Sequence, residues 1–185
     1  MVSQTLFGLL AILICAHNVM GITIISKSEW GGAPATSKTS LANGLSYAVI
    51  HHTEGAYCST KASCMQQMRN IQHYHQKTLG WADIGYNFLI GGDGNIYEGR
   101  GWNVLGAHAS NWNSKSIGIS FMGNYHKDKP TAAQITAAKN LLAAAVSRGQ
   151  IKSGYILYGH RQVGSTDCPG NNLYNEIKKW SNWKA

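Results

Sequence analysis

Residues 45–52 read LSYAVIHH. From Leu45 to His51 the run first alternates apolar with polar residues and then turns apolar through Tyr47, Ala48, Val49 and Ile50. That pattern predicts a buried strand with His51 and His52 at its carboxyl end. Toward the C-terminus, Lys61 to about Thr78 has helical spacing, with Cys64, Met68, Ile71 and His75 on one face and Gly80 closing it. Phe88–Ile90 and Asn95–Glu98 flank Gly91-Gly92-Asp93-Gly94, a hairpin signal. Ser116–Met122 reads as a strand. Pro130-Thr131 opens a helix in which Thr131 and Gln134 form a capping-box pair, and Gly149 closes it. Tyr155–Gly159 predicts another strand, with His160 at its end, and Leu173–Trp180 a final helix. Toward the N-terminus, residues 33–44 read as loop and Ile22–Ser26 as an extended segment. Strands separated by long helices predict an α/β fold, a mixed central β-sheet with helices packed on it.

The first twenty residues carry no charged side chain, and Leu6–Cys15 is almost wholly apolar. A bilayer span needs about 20 such residues, so this run has the length of a signal-peptide core. The expected division is a signal peptide over residues 1–20 and one domain over 21–185, with the mature chain secreted and extracellular. There is no internal repeat and no linker. The net charge of +8 favours anionic partners, bacterial walls as well as nucleic acid, but the basic residues are scattered rather than clustered.

Four cysteines are present. Cys15 falls in the signal. Cys58 and Cys64 lie close together, and export permits a disulfide between them. Cys168 is left over, in a loop marked by Asp167, Pro169 and Gly170. With His51 and His160 at strand ends, where open α/β sheets tend to place their sites, two imidazoles and a thiolate suit zinc with a fourth position open. The same residues also suit a Cys–His nucleophile pair, and the spacing alone does not choose.

Further motifs stand in order along the chain. Val49-Ile50-His51-His52-Thr53 is followed by Asp83 to Gly91 (DIGYNFLIG) and Ile96 to Asn103 (IYEGRGWN). Ser116–Phe121, Gly159-His160-Arg161 and Cys168-Pro169-Gly170 complete the series. Over about Ile22 to Trp183 the chain resembles the peptidoglycan recognition proteins, relatives of the bacteriophage T7 lysozyme-type amidases, and most of all their small secreted insect members. The resemblance implies a T7 lysozyme-like amidase fold with Zn2+ held by His51, His160 and Cys168. It implies catalytic roles for Tyr86, as donor to the oxyanion, and for Thr166, which stands where the phage enzyme has a lysine.

Because members without the cysteine bind and do not cut, Cys168 implies an active N-acetylmuramoyl-L-alanine amidase. A non-catalytic peptidoglycan receptor is the alternative. Groove positions implied by alignment are His52, Thr53, His75, Gly80, Trp81, Tyr86, Arg100 and His108. Gly80-Trp81 with Arg100 is the combination associated with diaminopimelic-acid stems, whose extra carboxylate a guanidinium binds well. The expected partners are bacterial peptidoglycan and muropeptides, with no nucleic acid and no membrane, and a monomer is expected.

Overall fold

The computed structural model describes residues 21–185. The predicted signal over residues 1–20 lies outside the described residues. The elements are β1 (Ile24–Ile25), β2 (Leu45–His52), α1 (Lys61–His73), β3 (Phe88–Ile90), β4 (Ile96–Glu98), β5 (Ser116–Phe121), α2 (Ala132–Ser147), β6 (Ile151–Gly159) and α3 (Asn171–Ile177). They build one six-stranded sheet in the order β1-β4-β3-β5-β2-β6. The β3–β4 hairpin is antiparallel and every other pair is parallel, so the sheet is mixed as its sequence pattern predicts.

Several boundaries differ from the sequence reading. β6 starts at Ile151 rather than Tyr155, because exposed Lys152, Ser153 and Gly154 carry no apolar signal. α3 starts and stops earlier than Leu173–Trp180. α1 is capped by Thr60, whose side chain accepts from the Ser63 N–H while Ser63 answers the Thr60 N–H. Beyond His73 the helix widens into a π-helical turn, Tyr74–Thr78, which carries His75. Such single-turn bulges re-aim a side chain without ending the helix.

The core has two layers. Ala48 and Ile50 of β2 and Ile117, Ile119 and Phe121 of β5 pack against α2 through Ala138, Leu141, Leu142 and Ala145, and against Leu173 and Ile177 of α3. On the opposite face Leu89 and Tyr97 pack with Trp30 against Cys64 and Met68 of α1. A Cys58–Cys64 disulfide ties the start of α1 to the segment after β2. Closing so short a loop stabilises by about 2–3 kcal/mol on the chain-entropy account.

Side chains alternate across a strand, so these contacts fix every direction along it. Ala48, Ile50 and His52 face α2; Tyr47, Val49 and His51 face the other way. In β5 the α2 face takes Ile117, Ile119 and Phe121, and the opposite face takes Ser116, Gly118 and Ser120.

Candidate metal centre

β2, β5 and β6 run parallel and end together. The register Ile50 to Gly159 sets His51 beside His160, with ring centroids 4.4 Å apart. His160 opens a short 3-10 turn rather than closing the strand. The chain then loops back. Arg161 N–H donates to the Cys168 carbonyl at 2.8 Å, while the Arg161 guanidinium donates to the Asp167 carbonyl and to Asn171 Oδ1. The loop, which holds a cis Cys168–Pro169 peptide, returns the sulfur to the strand end. Cys168 Sγ lies 3.8 Å from His51 Nδ1 and accepts the His52 N–H at 3.3 Å. Its thiol is free. One donor atom each from His51, His160 and Cys168 falls within 4.8 Å of the others.

Burial keeps these donor groups uncharged and leaves the imidazole lone pairs bare. Burial, then the neighbouring His108, His160 and His52, holds His51 well below the usual imidazole range, and burial lowers His160. Both rings are neutral and offer lone pairs. Burial pushes the Cys168 thiol up to about 12, against the helping N–H of His52. A nucleophilic thiolate requires the opposite shift, so the Cys–His pair is poorly served. A metal ion stabilises the thiolate directly, and two neutral imidazoles with one sulfur are a zinc donor set.

Residues 41–171 match the N-acetylmuramoyl-L-alanine amidase family. Over 177 residues, 96% of either chain, the sequence is 77% identical to peptidoglycan-recognition protein SC2 of Drosophila melanogaster. Mouse peptidoglycan recognition protein 1 is 48% identical over 162 residues, 87% of this chain and 89% of the mouse protein. The chain belongs to the peptidoglycan recognition protein family.

Among solved members of that family, wild-type Drosophila PGRP-LB superposes with a TM-score of 0.86 at 44% identity, covering 89% of this chain and 97% of the other. A PGRP-LB variant solved in complex with tracheal cytotoxin gives 0.85 at 44% identity, covering 88% and 96%. The fold is thus that of a peptidoglycan recognition protein with an amidase-type domain. Among the described residues no helix is long and apolar enough to cross a membrane.

In this peptidoglycan recognition protein the remaining candidate residues fall into three places. Thr53, His75 and Tyr86 line one cavity of about 240 Å³ between α1 and the metal centre, together with Ile71 and Tyr74. Tyr86 reaches the centre itself, its ring 5.2 Å from that of His51. Burial, then the Cys168 charge, raises the Tyr86 phenol above its ordinary value, so it stays a protonated donor. Thr53 is pinned, its N–H donating to the Phe121 carbonyl and its Oγ1 accepting from Gly123.

Around the π turn, His75 Nδ1 accepts the Gly85 N–H at 3.1 Å, and its ring lies 4.7 Å from that of Trp81. Trp81 is 37% exposed and follows Gly80, whose φ of +70 suits glycine. Arg100 is half-buried, with Nε donating to the Ile84 carbonyl and Nη1 to that of Leu105, which holds its guanidinium rigid.

The third place is beneath the centre. His52 faces away, its Nδ1 accepting the Tyr125 N–H. His108 is buried behind His51, whereas Thr166 is exposed on the loop, its Oγ1 accepting the Cys168 N–H at 3.2 Å. A larger cavity, about 590 Å³ between α2, β6 and the C-terminal segment, touches none of these residues.

Two neighbours of the centre escaped the sequence reading. Ser120 pairs with His51 in the β2–β5 register, and its buried Oγ has no hydrogen-bond partner among the described residues. His126 lies with its ring 5.6 Å from His52. Ser120 was detectable, since SIGISF alternates small with large side chains and the small face must border something bulky. His126 carries no such local signal.

Proposed function

We propose that this chain is a secreted, zinc-dependent N-acetylmuramoyl-L-alanine amidase that binds bacterial peptidoglycan and muropeptides and hydrolyses the amide between the lactyl group of muramic acid and L-alanine. The observation that carries the reading is Cys168. It is a half-buried thiol, unpaired among the described residues, brought close to two neutral imidazoles by segments more than a hundred residues apart. Zinc, when bound, acidifies a water and polarises a carbonyl.

The chain's own residues do the rest. His51, His160 and Cys168 hold the ion, and the His52 N–H supports the sulfur. The Tyr86 hydroxyl donates to the oxygen that gains charge, a contribution worth about 10²–10³ in rate at comparable sites. Thr166 fixes the Cys168 backbone through its Oγ1. The cavity lined by Thr53, His75 and Tyr86 takes the stem peptide. The rigid guanidinium of Arg100, beside Gly80-Trp81, gives a preference for stems carrying diaminopimelic acid through its carboxylate. The role is scavenging of wall fragments, which damps immune signalling.

The test is to purify the mature chain, measure bound zinc, and follow release of stem peptide from muropeptides of both stem types. One zinc per chain and chelator-sensitive cleavage are expected, with both lost in Cys168→Ser and the stem preference narrowed in Arg100→Ala. A metal-free chain that binds muropeptide without cutting it would establish a receptor instead.

A further inference from the structure

His51 has two ring nitrogens, and the structure disposes of both. Nδ1 faces Cys168 Sγ at 3.8 Å, on the side of the metal centre. Nε2 lies 3.0 Å from Nδ1 of His108, with the two rings set edge to face at 81°. A ligand nitrogen must be bare, so an ion on Nδ1 places the His51 proton on Nε2. That proton then needs an acceptor, because both rings are buried away from water, at 1% and 7% exposure. The neighbour that offers one is His108.

His108 is itself held from three sides. Asn113 Oδ1 accepts the N–H groups of His108 and Ala109 at 2.8 and 2.9 Å. Its ring occupies the space left by two glycines, and a Cβ at Gly106 or Gly118 would overlap it. Gly118 belongs to the small face of β5, two residue pairs below Ser120 and the metal centre. The packing therefore fixes the ring that fixes the ligand.

We infer that His108 is a positioning residue of the metal centre, which accepts the Nε2 proton of His51 and so locks His51 in the tautomer and orientation that present Nδ1 to zinc. The inference rests on the zinc reading above. It differs from a groove role, because a ring held behind His51 has little surface to offer a muropeptide. A partner of this kind is commonly worth 10–100-fold in metal affinity.

The test compares wild type, His108→Phe and His108→Asn by chelator competition for zinc, with the thermal midpoint of each metal-free chain and muropeptide affinity measured alongside. Phenylalanine fills the site and accepts nothing; asparagine carries an oxygen near the Nδ1 position. The expected result is a zinc Kd raised 10–100-fold in His108→Phe and substantially restored in His108→Asn. An unchanged zinc Kd in His108→Phe with weakened muropeptide binding would overturn the inference and leave a ligand contact.

If His108→Phe does not fold, nitrogen-15 spectra of zinc-loaded wild type decide the matter. A protonated Nε2 on His51, coupled to His108 Nδ1, supports the assignment; an unprotonated one removes it. Wild type that holds no zinc at all would sink the proposed function itself, a result distinct from either.

Discussion

The two faces of the central sheet are built from the same strands and do opposite work. Toward α2, β2 and β5 present Ala48, Ile50, Ile117, Ile119 and Phe121 to a layer of alanines and leucines. One residue away on the same strands, His51, Gly118 and Ser120 line the floor of the metal centre. The first face is filled with large apolar groups; the second is small and polar beneath the metal centre and apolar where Leu89, Tyr97 and Trp30 meet α1. Stability and chemistry are thereby separated by the thickness of one strand, and perturbations of each should read out differently.

The largest effect on folding belongs to the α2 face. Leu141 is fully buried in that layer. Leu141→Ala should lower stability by about 2–5 kcal/mol, read as a urea midpoint. Zinc affinity of the folded variant should stay within about twofold. A marked loss of zinc affinity would show that the faces are mechanically coupled after all.

A smaller change on the other face should reverse the pattern. In Gly118→Ala the added methyl meets the His108 ring. The expected destabilisation is about 1–3 kcal/mol, typical of overpacking. Zinc affinity should nevertheless fall, because the displaced ring no longer supports His51. Intact zinc binding in a destabilised Gly118→Ala would mean that the ring and its ligand move independently.

A third effect is a pH dependence of the metal-free chain. Burial lowers His52 and His75 to about 4 and His108 to about 3. Unfolded histidine titrates near 6.5. As pH falls below that value the unfolded chain takes up protons that the folded chain refuses, so stability decreases until the folded values are reached. Urea midpoints should drop between pH 7 and 5, and His75→Gln should flatten the slope. A midpoint that rises over this range would contradict the neutral imidazoles described above.

Much of this arrangement was legible in the sequence. Val49-Ile50 followed by His51-His52 marks a buried strand with chemistry at its end, and the capping pair Thr131–Gln134 places α2 within two residues. The hairpin around Gly91–Gly94 forms where its glycines require. What was not legible depends on pairing between distant segments. His108 reads as a groove position until the β5 register sets Gly118 against its ring. The π turn that carries His75 has no local pattern distinct from an ordinary helix. The exposed start of β6 is a strand because β2 lies beside it, not because its own residues demand it.

The twin imidazoles at the end of β2 also restrict how this chain can change in length. Deleting one residue between Leu45 and Ile50 would carry His52 to the metal-centre face and His51 to the α2 face, spoiling both sides of the sheet at a stroke. Length variation among descendants of this sequence is therefore steered into the loops, such as residues 33–44, while β2 keeps its residue count as strictly as its chemistry.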